Sequence, residues 1–171
     1  MKGYSDPRSA VYFTTSKLGG DSPYMGMRSG LEGVKPATYS GYSMPNYEQK
    51  DDMLMFCAAE TAFLRAEGAL RGWDMGGSAR DFYEQGVKLS FDQRKVSGAD
   101  EYLANAVAVP EPFVDPVNPA KCNYTPKTKI TIAWNEGAST EEKLERIITQ
   151  KWIANYPVSY THLTLPTILR V

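Results

Sequence analysis

The sequence predicts a mainly α protein in which a helical hairpin scaffold carries long loops, with at most short β pieces. Three observations carry that expectation. Residues 53–92 place Phe56, Ala59, Phe63, Ala66 and Leu70 at three- and four-residue steps on one helical face, closed by Trp73. Asp74-Met75-Gly76-Gly77 then breaks the helix, Ser78 offers an N-cap, and Ala79, Phe82, Tyr83, Gly86, Val87 and Ser90 line a second face. The small residues on that face leave room for a partner helix. The flanking segments, by contrast, are crowded with glycine and proline.

Taken in order, residues 1–50 read as irregular and extended, with no helix expected. Asp6-Pro7-Arg8 forms a turn ahead of the β-favouring run Val11-Tyr12-Phe13-Thr14-Thr15. Gly19, Gly20, Pro23, Gly26, Gly30, Gly33, Pro36, Gly41 and Pro45 then punctuate the backbone too often for long elements. Disordered segments are poor in aromatics, so the tyrosines of this stretch predict an ordered loop laid over the helices. After the hairpin, residues 97–108 read as a short third helix, and Pro110, Pro112, Pro116, Pro119 and Pro126 mark a long connector. Ile130-Thr131-Ile132-Ala133-Trp134 alternates like a brief strand that lacks a partner. Ser139-Thr140-Glu141-Glu142 has capping-box spacing and opens a last helix. There Leu144, Ile147, Ile148, Lys151, Trp152 and Tyr156 follow helical steps, with Glu142, Lys143, Glu145 and Arg146 turned to water. That helix is expected to end at Tyr156, before Pro157.

Composition narrows the function. The 171 residues carry 19 Lys+Arg against 20 Asp+Glu, a formal charge of -1, with no basic block to follow a phosphate backbone. Nucleic acid is not an expected partner. No segment approaches the roughly 20 apolar residues of a membrane span, and the first residues lack the apolar core of a signal peptide. Cys57 and Cys122 do not define a disulfide framework, and a bridge between them is not expected. The lone His162 lies in a tail, residues 158–171, whose style differs from the rest, so no catalytic pair and no metal site is assigned. No cofactor is expected either.

The 11 tyrosines are the unusual feature. A ring presented from a loop stacks on the apolar C–H face of a sugar at little entropic cost. Tyr24, Tyr39, Tyr42 and Tyr47 are the candidate ligand-binding residues, with Arg28, Asn46, Gln49 and Asp51 as nearby hydrogen-bonding groups. The same rings equally serve to pin the loop to the helices, and the residues alone favour that simpler role.

Several stretches together resemble the C-terminal part of the SusD/RagB family of nutrient-binding outer-membrane lipoproteins. They are Ser5-Asp6-Pro7-Arg8 with Val11-Tyr12-Phe13, the segment from Tyr24 to Gly30, the run from Ala59 to Trp73, Gly86 to Phe91, and Leu144 to Ala154. The resemblance covers residues 4–157, so 1–157 is expected to be the C-terminal part of a SusD-like domain and 158–171 a non-family, artefactual tail. It implies tetratricopeptide-like helix pairs with a loop-rich face that captures glycan or peptide nutrients without catalysis. It also implies a surface position at the outer membrane, a lipid anchor on an N-terminal segment absent from this chain, and delivery to a TonB-dependent, SusC-like transporter. Without the resemblance, the same hairpin reads as a helical-repeat module for protein partners, with a glycoside hydrolase as a weaker third reading.

Overall fold

The computed structural model describes residues 1–18, 22–28, 37, 40–48, 50–51 and 56–157. Its centre is the expected hairpin, α2 (Ala58–Leu70) against α3 (Ala79–Gln93). Ala59, Ala62, Phe63 and Ala66 of α2 meet Phe82, Tyr83, Val87 and Phe91 of α3, all buried. Each large apolar side chain removed from water in this way contributes about 1.5–3 kcal/mol. The helices approach closely because position 86 has no side chain: a Cβ there would lie 2.7 Å from the Phe63 ring.

The ends of the hairpin differ from the sequence expectation. Helix α2 begins at Ala58, with the Cys57 sulfur accepting the Glu60 amide at 3.3 Å. Phe56 therefore precedes the helix and is 78% exposed, and Trp73 is 63% exposed, so neither belongs to the buried face. The helix stops at Gly72 rather than at Gly76-Gly77. Gly72 takes φ +83°, its amide returns to Ala69 O at 3.0 Å, and the Trp73 amide returns to Gly68 O at 3.0 Å. Those two bonds make a Schellman stop, which turned Trp73 outward. The N-cap at Ser78 is as expected and is reciprocal, since Asp81 answers Ser78 in a capping box.

Helix α6 (Thr140–Ala154) packs across both members of the hairpin and starts at the Ser139–Glu142 capping box. Its buried face is Arg146, Ile147, Gln150, Ile153 and Ala154. Arg146 is thus not turned to water: its Nε donates to Thr131 O at 2.9 Å, a contact between segments that helical spacing does not reveal. Trp152 is exposed. The third expected helix is shorter than 97–108. It is α4 (Ala99–Leu103), after which the Asn105 side chain captures the amides of Val107 and Ala108 at 3.0 and 2.8 Å and holds the chain in a turn.

Residues 130–134 form no strand among the described residues. Their alternation serves another arrangement: Ile130 and Ile132 are buried, and side chains take the carbonyls that a partner strand would have taken. Tyr4 Oη donates to Ile130 O at 2.8 Å, Arg146 to Thr131 O, and Tyr83 Oη to Ile132 O at 2.6 Å. Burial is the main cause that pushes the Tyr4 phenol up to about 12 and the Tyr83 phenol higher still, so both keep the proton they donate.

At the N-terminus, where the sequence predicts no helix, Ser9–Tyr12 form a short helix, α1, which takes the first two residues of the β-favouring run, while from Phe13 onward that run is extended. Asp6 starts α1. Its Oδ1 accepts the Arg8 amide at 3.0 Å, and its two oxygens accept Arg8 Nε at 2.9 Å and Nη2 at 2.6 Å. Both side chains are fully buried. The guanidinium also donates to Ser90 Oγ at 2.9 Å and to Gln150 Oε1 at 3.0 Å, and it lies 4.7 Å from the Phe91 ring centre. Tyr102 Oη completes the group, donating to Asp6 Oδ2 at 2.9 Å.

Two stability predictions follow from these contacts. Arg8→Met leaves Asp6 charged and unpaired in the interior and is expected to cost about 3–5 kcal/mol in urea unfolding. Removing the carboxylate as well, in Asp6→Leu/Arg8→Met, should recover part of that loss; a double variant no more stable than the single one would refute the stranded-charge explanation. Gly86→Ala is expected to cost about 1–3 kcal/mol because the Phe63 ring must move, and an unchanged melting temperature would refute it.

Candidate functional site

The loop face is built outward from α1. Beyond Tyr12 the chain is extended and pairs with the 41–46 segment: Asn46 donates its amide to Tyr12 O at 2.8 Å, Thr14 to Met44 O at 2.8 Å, and Lys17 to Gly41 O at 2.8 Å. Phe13 and Pro45 form an isolated antiparallel bridge there. Residues 23–25 lie alongside, with the Ser16 amide on Pro23 O at 2.8 Å and the Ser43 amide on Met25 O at 2.9 Å. These backbone bonds tie residues 12–17, 23–25 and 41–46 to one another.

A second loop, residues 113–124, is tied beneath the first. Phe113 and Tyr124 exchange backbone bonds of 2.7 and 2.9 Å. Between them Asp115 is 1% exposed, and its Oδ1 accepts the Val117 amide at 2.9 Å, the Asn118 amide at 2.8 Å and Tyr42 Oη at 2.8 Å. Burial by itself would raise the Asp115 carboxyl, but the bonds from Asn118, Tyr42 and Val117 outweigh it and hold the group below the usual carboxylate range. Arg28 adds a further tie, donating from Nη1 to Lys121 O at 3.3 Å. Pro119 opens the single turn α5 (Pro119–Cys122), where a missing amide costs nothing.

The four candidate tyrosines are placed differently by the fold. Tyr47 is 59% exposed, and Tyr24 is half-buried. Tyr42 is 5% exposed with its hydroxyl on Asp115, so it fastens the two loops together and offers no free ring face. Tyr39 lies outside the described residues. Of the polar candidates, Asn46 donates to Val11 O at 3.3 Å and Asp51 accepts the Glu48 amide at 2.7 Å, both shaping the loop itself; Gln49 lies outside the described residues. Arg28 remains exposed beside Lys121.

Sequence reasoning passed over Tyr124. It is 51% exposed, fixed by the bridge to Phe113, and close in sequence to the Lys121 carbonyl on which Arg28 rests. The available signal was an aromatic residue inside a proline-marked connector. Such a connector reads as a spacer until the other loop is seen to pack on it.

Cys57 and Cys122 are both free and buried. Burial raises the Cys57 thiol, the reverse of what an activated nucleophile requires. Among the described residues there is no group of three or more His, Cys, Asp or Glu placed to hold a metal ion, and no helix long and apolar enough to cross a membrane.

A pH dependence follows from the Asp115 tie. A depressed folded-state carboxyl contributes stability that is present above its unfolded value of about 3.9 and is lost as pH falls through the folded value. Hydrogen exchange should therefore show protected Val117 and Asn118 amides at neutral pH that lose protection in acid. In Tyr42→Phe the loss should begin at higher pH. Identical acid profiles for the two proteins would refute the role given to the Tyr42 hydroxyl.

A family model described as SusD-like, the SusD and RagB outer-membrane lipoproteins, matches residues 1–162. Among solved structures, a SusD-like protein from Bacteroides thetaiotaomicron is 48% identical with a TM-score of 0.87, over 92% of this chain and 34% of that one. A chitin-binding SusD homologue from Flavobacterium johnsoniae is 46% identical with a TM-score of 0.86, over 92% of this chain and 33% of its own. A SusD homologue from Bacteroides uniformis is 47% identical with a TM-score of 0.83, over 92% and 32%. The chain thus spans about a third of the length of the structures it matches. No match was found among curated proteins.

Proposed function

Because this chain belongs to the SusD-like family of SusD and RagB outer-membrane lipoproteins, we propose that it forms part of a non-catalytic receptor that captures glycan nutrients at the cell surface. The receptor then passes its ligand to a TonB-dependent, SusC-like transporter in the outer membrane. The observation that carries this reading is the loop face itself, where exposed aromatic rings stand on loops pinned by hydrogen bonds to a rigid helical body. Tyr47 and Tyr124 are the proposed stacking residues, with Tyr24 at the margin and Arg28 as a hydrogen-bond donor. The resemblance to a chitin-binding homologue supports a sugar as ligand in preference to a peptide.

The physical case rests on preorganisation. A ring already held in place loses little freedom when a sugar stacks on it, so more of the contact energy appears as affinity. A glycan array with the intact protein is expected to show binding, and Tyr47→Ala and Tyr124→Ala should each weaken it about tenfold, the equivalent of ~1.4 kcal/mol. Unchanged affinity in both variants would refute these two assignments.

A second reading, a helical-repeat module for a protein partner, is favoured by a separate observation: Leu64, Trp73 and Trp152 are at least half exposed on the helical body. Substituting those three with polar residues separates the readings. Glycan binding should survive the change, and its loss would place the ligand on the helices instead.

A further inference from the structure

The charge of the chain is nearly balanced overall, at -1, but it is unevenly distributed. On the helical body, four cations lie on carboxylates. Arg71 reaches Glu67 at 2.6 Å, Arg80 reaches Glu84 at 2.7 Å, Lys88 reaches Asp100 at 2.7 Å and Lys143 reaches Glu136 at 3.2 Å. The loop face is different. Arg28 and Lys121 are exposed there, as are Lys127 and Lys129 just past the second loop in sequence, and none of the four makes an ion pair among the described residues.

Among the described residues no carboxylate lies within ion-pair distance of them. Between residues 113 and 129 the only acidic residue is Asp115, which is buried and already accepts three hydrogen bonds through one oxygen. On the facing loop Glu48 is held by Lys50 at 2.9 Å. Arg28 uses Nη1 on the Lys121 carbonyl, which brings its guanidinium, whose paired N–H donors suit a planar anion, to the loop that carries Lys121. Tyr124 follows Lys121 by one short turn and presents its ring on the same loop. An exposed ring for a sugar face thus stands on the loop that carries Lys121 and that Arg28 of the first loop contacts, and neither cation makes an ion pair among the described residues.

We propose that this loop face selects anionic oligosaccharides, those carrying carboxylate or sulfate groups, with Tyr124 stacking on the sugar and Arg28 and Lys121 meeting the anion. The inference rests on the capture of glycan proposed above and specifies its substrate class. Attraction between exposed charges weakens once they are separated by more than a Debye length, about 10 Å at 0.1 M salt. The preference is therefore salt-sensitive, while the stacking contribution is not.

Titration calorimetry on the intact protein tests the assignment with four probes: tetragalacturonate, a sulfated carrageenan tetrasaccharide, neutral chitotetraose and a glutamate tetrapeptide. At 50 mM NaCl one or both anionic sugars are expected to bind at least about tenfold more tightly than chitotetraose, and the ratio between the two identifies the anion. At 500 mM NaCl the preference should shrink several-fold. Arg28→Gln/Lys121→Gln should abolish it, and Lys121→Gln alone, which keeps the carbonyl that Arg28 contacts, should shrink it several-fold while leaving chitotetraose affinity and the melting temperature unchanged, whereas Tyr124→Ala should weaken all three sugars. Equal affinity for neutral and anionic sugars, or a preference that survives the double substitution, overturns this inference and leaves glycan capture standing. Binding of the glutamate peptide as tightly as the sugars also overturns it, in favour of an acidic protein partner. Binding of no sugar at all overturns both this inference and the capture on which it rests.

Discussion

The buried ion pair of Asp6 and Arg8 is the constraint on which the rest of the structure depends. Taking two opposite charges fully out of water is expensive, and their attraction offsets that cost only when the geometry is good and the remaining hydrogen-bonding groups are satisfied. Here both carboxylate oxygens receive guanidinium donors, and the guanidinium's remaining capacity goes to Ser90 on α3 and Gln150 on α6, while Tyr102 on α4 closes the ring through Asp6. A single side chain from an otherwise irregular N-terminal segment therefore contacts three separate helices. If any of those helices moved, a buried charge would lose a partner. The pair thus fixes the helices to one another and fixes residues 1–12 to all of them.

That anchorage is transmitted to the loops. Helix α1 emerges from the Asp6–Arg8 turn, and the extended residues after it supply the backbone groups on which the 41–46 segment pairs. The paired segment carries Tyr42, which reaches Asp115 in the second loop. Each step is an ordinary hydrogen bond worth about 1 kcal/mol, but they act in series from a rigid origin. The described residues of these loops are thus joined to the core through a series of bonds that begins at α1.

The same chain of contacts explains what was legible in the sequence. The helices of the hairpin and α6 announced themselves because their determinants are local: apolar spacing, Ser78 with Asp81, Ser139 with Glu142. Features decided by distant partners were not legible. Arg146 sits where a solvated charge belongs by helical spacing, yet Thr131 draws it inward, and residues 130–134 alternate like a strand although side chains satisfy their carbonyls. Trp73 and Phe56 continue an apolar pattern past the point where the Schellman stop and the Cys57 cap end the helix. At the loop face, tyrosine chemistry was readable but its division of labour was not, because burial of Tyr42 depends on an acid more than 70 residues away.

That division of labour accounts for the tyrosine surplus. Tyr4, Tyr83, Tyr42 and Tyr102 are all buried, and each spends its hydroxyl on a buried acceptor: two on carbonyls of the 130–132 segment and two on carboxylates. Phenylalanine would fill the same space but strand those acceptors, at a cost of about 1–3 kcal/mol for each. A fold with few strands has many backbone carbonyls that no ladder satisfies, and a long side chain with an apolar ring and a donor at its tip reaches them through the core. Of the four rings that first suggest sugar recognition, Tyr42 is therefore a structural tie. Tyr47 and Tyr124 differ by their exposure, and they stand on loops those ties hold in place. The buried tyrosines thus serve binding indirectly, by ordering beforehand the backbone from which the exposed ones project.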